Sequence, residues 1–247
     1  MNSLNQLFLV NFKIIFRNKS AVFWTIILPV SIYLALSILP IKNIIHTGFK
    51  YSSYVLPGII AMTIMQSGIY SLAYWMVDLK TRGVIKRFLA TPIKTSELVL
   101  SLLASRALMI LFQVIALTVI GVWFFEAKFS GNIFSTLILV LLGGGIFLAM
   151  GLLISNFSDS YESAAPITSA IGLPLTFLGN VFYPIENLPH TLQVVAKFLP
   201  ITYLADGLRQ AYLYPFDLQI IGKDILILAC WLVGILAVTI KIFRLKE

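Results

Sequence analysis

Charged residues make up only 11% of this 247-residue chain, and hydrophobic residues make up 59%; soluble domains are roughly a quarter charged and half apolar. With a mean hydropathy of +0.95, this scarcity excludes an ordinary water-soluble fold. One core of this size cannot hide so much apolar surface, and a bilayer must. Cysteine is reduced to Cys230 within an apolar run, which excludes a disulfide framework or a thiol pair for redox or metal chemistry and leaves a small packing residue. Histidine is limited to His46 and His190 in polar segments, neither with a sequence partner, so an intramembrane protease or acyl transferase finds neither a nucleophile with its base nor a metal-ligand set. The glycine run Gly143, Gly144 and Gly145 is followed by apolar residues with no Lys-Ser or Lys-Thr, which removes a nucleotide-binding loop. The net charge of +8 is scattered between apolar runs and forms no continuous basic face for nucleic acid. The first residues lack the charged, apolar and small succession of a cleavable signal peptide, so the whole chain is expected to be retained.

What is present is a series of long apolar runs. A crossing helix needs about 20 mainly apolar residues, and six stretches approach that: 21–39, 54–77, 98–125, 133–155, 164–182 and 225–240. Pro166, Pro174 and Asn180 interrupt the fifth, which points to a helix facing protein or a cavity, where freed carbonyls find partners. The fourth carries Gly143, Gly144, Gly145, Ala149 and Gly151, small residues that let a neighbouring helix approach closely. With the N-terminus inside, the cytoplasmic segments hold eleven Lys and Arg residues and the outer segments six; the positive-inside rule therefore places both termini in the cytoplasm. Ahead of the first span, Leu4, Leu7, Phe8, Phe12 and Ile15 share one helical arc while Gln6, Lys13 and Arg17 lie opposite. That pattern predicts an interfacial amphipathic helix, either an anchor or a contact for a cytoplasmic partner.

Between the second and third spans lies the most basic segment, DLKTRGVIKRFLATPIKTSEL. Ile85, Phe88 and Leu89 recur at i, i+3 and i+4 with Lys86 and Arg87 turned away, which predicts a short amphipathic helix ended by Pro92. Thr95 is then expected to cap the next helix, with Glu97 in its first turn. Such a helix between two spans can act as a lever; positive-inside charge with lipid headgroup contact is the other reading.

The outer segment FYPIENLPHTLQVVAKFLPITYLADGLRQAYLYP is longer than an ordinary loop. Leu192, Val195, Ala196 and Leu199 make an apolar face, and residues 203–214 form a second short helix between prolines, as in segments that tuck into the outer leaflet. Asp206 and Arg209 are spaced to pair, as a local salt bridge or as a substrate contact. Arg106, the main ionisable residue within a span, is a functional candidate by depth but is expected to snorkel toward the cytoplasmic end. Spans so poor in charge fit an apolar or lipid-like substrate and argue against a path for a bare ion. A secondary transporter would need a repeat or a proton-carrying acid, and neither is visible; a regulatory or scaffold membrane protein stays open.

RGVIKRFLATPI and FYPIENLPHTLQVVAKFLPITYLADGLR, together with the spacing of the spans along essentially the whole chain, resemble the type-2 ATP-binding-cassette (ABC) exporter permeases, in their drug- and lipid-export branch. The resemblance implies one all-α integral membrane domain over 1–247, with an N-terminal interfacial helix at 1–19, six spans, a coupling segment at 79–97 and external re-entrant helices within 183–221. It implies that Arg82, Gly83, Ile85, Lys86, Arg87, Phe88, Leu89, Thr91 and Pro92 meet the ATPase. Pro184, Glu186, Leu188, Pro189, Pro200, Tyr203, Asp206 and Arg209 carry the external motif. It further implies two permease copies, identical or related, docked on two cytoplasmic ABC ATPase subunits in a bacterial cell membrane. ATP and Mg would sit on those partners, with no cofactor or catalytic site on this chain. The family usually has a glutamate just before the coupling glycine; here Lys80, Thr81 and Arg82 precede Gly83, and Asp78 is the nearest acid.

Overall fold

The structure, a computed structural model, describes residues 3–38, 50–91 and 94–242. Among the described residues every regular element is helical: α1 Ser3–Arg17, α2 Lys19–Ile38, α3 Tyr51–Gln66, a π turn Ser67–Ser71 that continues into α4 Leu72–Thr81, α5 Val84–Leu89 and α6 Thr95–Phe125. They continue with α7 Ile133–Asn156, α8 Tyr161–Leu178, a 3-10 turn Ile185–Asn187, α9 His190–Ala196, α10 Pro200–Leu213 and α11 Leu218–Ile242. Four helical stretches are long and apolar enough to cross a membrane: Tyr51–Thr81, Ser96–Phe125, Ile133–Asn156 and Leu218–Ile242. The expected first span falls on α2, where a shorter apolar helix runs over Thr25–Ile38 and Leu39 lies outside the described residues. The expected fifth span falls on α8 but stops short, because Gly179 ends the helix and Asn180 takes a positive φ of 56°. Both α8 prolines lie inside the helix and point outward from this chain, with Ala164, Thr168, Gly172 and Leu175 as the buried stripe.

A helix apolar all round is buried, in a protein core or in a bilayer. α3 is buried from Ser52 to Met65 and packs against α2, α6, α7 and α10, so it forms the centre. α11 is more apolar than α3 yet buries only Ile221, Leu228 and Thr239, lying along α7 and α10 with its remaining surface outward, so apolarity alone does not decide which helix is central. In a bilayer, helices associate by close packing rather than by escape from water, and small residues permit it. A Cβ added to Gly151 would sit 2.3 Å from the Gly68 carbonyl oxygen, so α7 and the π turn meet backbone to backbone. Gly143 likewise seats Leu204, whereas Gly144 has only Ile110 within reach at 3.7 Å. Gly145 seats Leu232 of α11, whose Cδ1 would lie 3.0 Å from an added Cβ, so the small-residue expectation holds at Gly143, Gly145 and Gly151 and not at Gly144.

α1 is a helix packed along α6, where Asn11 Nδ2 donates to Ser101 Oγ at 3.2 Å. Leu7, Phe8 and Phe12 are half-buried, and Lys13 and Arg17 are exposed. Leu9, Val10 and Ile14 form a further exposed apolar face that the arc drawn from sequence omits.

Candidate functional site

The expected lever is built by a reversal after α4. Gly83 has φ 66°, and no atom lies within 4 Å of where its Cβ would stand, so glycine is needed for conformation and not for space. Its N–H donates to the Lys80 carbonyl at 2.9 Å and the Arg82 N–H to that of Asp78 at 3.0 Å, closing the end of α4. In α5, Ile85 is only 2% exposed and Phe88 packs half-buried against the core. Lys86 and Arg87 face outward with Leu89, which is 44% exposed. Ile85 and Phe88 therefore fit the expected apolar face; Leu89 does not. Thr91 Oγ1 donates to the Phe88 carbonyl at 2.7 Å just after the helix; Pro92, expected to end it, lies outside the described residues. α6 begins at Thr95, so the cap position falls on Lys94 and not on Thr95 as expected; Glu97 does occupy the first turn.

The junction is tied to the rest of the bundle by partners distant in sequence. The Asp78 carboxylate accepts from Arg82 Nε at 2.8 Å and from the Tyr161 hydroxyl at 3.0 Å. Lys80 Nζ donates to the backbone carbonyls of Ser155 at 2.6 Å and Ser158 at 3.2 Å, across the α7–α8 turn. Its ion pair with Asp159, at 3.6 Å, is secondary because that carboxylate is 99% exposed. Carbonyl bonds from a charged donor contribute about 1.5–3 kcal/mol each where water is largely excluded. Asp78 is the acid nearest Gly83 in sequence, but Tyr161 and the Ser155 and Ser158 carbonyls carried no local signal.

At the opposite end of α3 the external motif converges on Arg209, whose side chain is 6% exposed. Nε donates to the Tyr54 carbonyl at 3.2 Å, while Nη2 donates to those of Val181, at 3.0 Å, and Asn180. Nη1 reaches Asp206 Oδ1 at 3.3 Å, and the guanidinium lies 4.0 Å over the Tyr54 ring. Asn180 Nδ2 donates to the same Asp206 oxygen, and the Tyr54 hydroxyl donates to Asn180 Oδ1 at 3.2 Å. Partial burial pushes the Asp206 carboxyl above its ordinary value, against the pull of Arg209. The expected Asp206–Arg209 pair is real, but the three backbone carbonyls make Arg209 a pin joining α3, the turn after α8 and α10. Pro184 and Pro189 occupy the cap positions of the 3-10 turn and of α9, and Pro200 starts α10. The Tyr203 hydroxyl donates to the Lys197 carbonyl at 2.6 Å. Leu188 is half-buried, whereas Glu186 is exposed and lines the same cavity as Tyr54, Asp206 and Arg209, where its charge acts on the Asp206 carboxyl. Of the apolar face expected on α9 and its flank, Ala196 is buried and Leu199 packs half-buried against the core, whereas Leu192 and Val195 turn outward.

A third polar group lies midway along the bundle. Arg106 Nη1 donates to Ser71 Oγ in the π turn, and its guanidinium lies 5.3 Å from the Trp75 ring centroid. Its guanidinium lines an open cavity together with Asp78 and Arg82 at the end of α4. Among the described residues no group of three or more His, Cys, Asp or Glu converges to hold a metal ion.

Residues 3–213, from α1 to α10, match the ABC-2 type transporter family. The inner membrane transport permease YadH of Escherichia coli (strain K12) is 27% identical over 174 residues, which cover 70% of this chain and 68% of that protein. The probable multidrug ABC transporter permease YbhR of the same organism is 23% identical over 187 residues, 76% of this chain and 51% of that one. The putative transport permease YvfS of Bacillus subtilis (strain 168) is 23% identical over 218 residues, 84% of each chain. The chain belongs to the ABC-2 type transporter family, as a transmembrane subunit of an ABC transporter.

Proposed function

We propose that this chain is the membrane-spanning half of an exporter that moves an amphiphilic or lipid-like substrate (a drug, antibiotic, lipid or glycolipid) out of the cytoplasm or inner leaflet. The family normally works with an ATP-binding subunit. In this reading ATP and Mg belong to separate cytoplasmic ABC ATPases, and this chain binds no cofactor. Two permease copies face each other in the membrane lipid. Each chain crosses six times with both termini inside; α2 and α8 complete the four long spans.

The observation that carries the reading is the way α5 is mounted. Its exposed side offers Lys86, Arg87 and Leu89, while Ile85 and Phe88 press into the bundle. Asp78 and Lys80 connect that mount to α7 and α8. A push on the exposed side by closing ATPases therefore reaches α4, α7 and α8 together, whereas a solvated loop would absorb it. The apolar spans suit an amphiphile, in line with the multidrug designation of YbhR.

The direct test is co-expression with a candidate ABC ATPase of the same organism, followed by purification and reconstitution. The expected result is a stable complex whose flux of amphiphile requires ATP. Transport by the chain alone, driven by a proton or sodium gradient, would overturn the reading in favour of a secondary transporter.

A further inference from the structure

An open cavity of about 300 Å³ lies among α1, the α1–α2 junction, α4, α6 and α8, with Ser71, Trp75, Asp78, Arg82, Arg106 and Tyr161 on its walls. Its charges are unequally matched. Asp78 is held by Arg82 and Tyr161. Arg106 donates to the neutral hydroxyl of Ser71 and has, among the described residues, no carboxylate within 4 Å. A guanidinium has five donors in a planar fork; Arg106 lines the cavity and Ser71 takes one of those donors.

Depth makes this arrangement informative. α6 has 31 residues, which extend about 46 Å against a hydrocarbon layer of about 30 Å. Arg106 lies eleven residues after Thr95, roughly 17 Å along the helix. If the start of α6 is cytoplasmic, this is the inner part of the hydrocarbon layer. A cation without a counter-charge there is costly, and such residues ordinarily pair with an anion. The walls also supply both halves of an amphiphile site. Arg106 matches a phosphate-type anion in a bidentate manner. The exposed Ile14 on α1 lines the cavity and offers its apolar flank.

We infer that this cavity is an inner-leaflet entry site for the anionic, phosphate-type headgroup of an amphiphile, with Arg106 as the binding residue and Trp75 as the ring that orients its guanidinium. The inference rests on the exporter reading for its orientation and narrows the substrate class to anionic amphiphiles. Lipid headgroups and free phosphate share the same chemistry, and the test separates them.

The full chain is placed in phosphatidylcholine nanodiscs and titrated with dibrominated phosphatidylglycerol or dibrominated phosphatidylcholine. Quenching of Trp75 is read as the difference from Trp75→Phe. The expected result is half-quenching at about a tenfold lower mole fraction for the anionic lipid, the effect of one charge-assisted bond. Arg106→Gln abolishes the preference and Arg106→Lys restores part of it. If Arg106→Gln does not fold, the wild-type comparison of the two lipids decides alone. Equal quenching by both lipids, or a preference unchanged in a folded Arg106→Gln, overturns the inference. Displacement of the anionic lipid by millimolar inorganic phosphate also overturns it, since the site would then take a soluble anion. Loss of the lipid preference alongside intact ATP-driven flux sinks this site alone. An anionic-lipid preference in a chain that needs no ATPase sinks the exporter reading instead.

Discussion

Tyr161 donates its hydroxyl to the Asp78 carboxylate at 3.0 Å across 83 residues of sequence. The bond ties the first residue of α8 to α4 one turn before Gly83 reverses the chain into α5. The ring is nearly half exposed, so its contribution to stability is small, about 0.5–1.5 kcal/mol. Tyr161→Phe is therefore expected to leave expression and thermal stability nearly unchanged. In the reconstituted complex it should lower the ratio of substrate-stimulated to basal ATPase activity several-fold. An unaltered ratio would show that α8 does not receive movement through Asp78.

Arg209 should behave differently. Arg209→Ala leaves the Asn180 and Val181 carbonyls, Tyr54 and Asp206 without their shared donor, and breaking a buried charge cluster on one side costs about 3–5 kcal/mol. The expected outcome is aggregation during detergent extraction. Arg209→Lys keeps the charge but loses the planar fork, so it should fold with a lower thermal midpoint. A midpoint equal to wild type in both variants would remove the pin.

Two glycine-to-alanine substitutions separate strain from crowding. Gly83→Ala meets no atom within 4 Å but places a Cβ at φ 66°, at a cost of about 1 kcal/mol. Gly151→Ala drives a Cβ onto the Gly68 carbonyl oxygen, where overpacking costs about 1–3 kcal/mol and the backbone cannot swing aside. The thermal midpoint should fall further for Gly151→Ala, and coupling should suffer more in Gly83→Ala. The reverse order would contradict both assignments.

Sequence revealed what depends on local pattern. The apolar runs gave the positions of the helices, and the i, i+3 pair Ile85 and Phe88 turns inward on α5, whereas Leu89 at i+4 turns outward. Asp206 and Arg209 were visible as a pair because they share one helical turn. What escaped was set by packing between distant segments. Nothing near Lys80 in sequence marks Ser155 as its acceptor, nothing beside Arg209 marks the Tyr54 and Val181 carbonyls, and the π turn that brings Ser71 to Arg106 has no sequence signature. The shortened α8 also escaped, because hydropathy continues through Val181 and Phe182 after Gly179 and Asn180 have turned the chain.

The most direct test of the α5 lever is Phe88→Ala in the full complex, reconstituted in vesicles with its ATPase. Phe88 packs half-buried against the core beside the outward Arg87, so truncation loosens the mount without removing the charged contact surface. The expected result is normal membrane insertion and normal co-purification of the ATPase, with substrate-stimulated ATP hydrolysis and flux both lost. Unchanged coupling of hydrolysis to flux in those vesicles would contradict a lever role for α5.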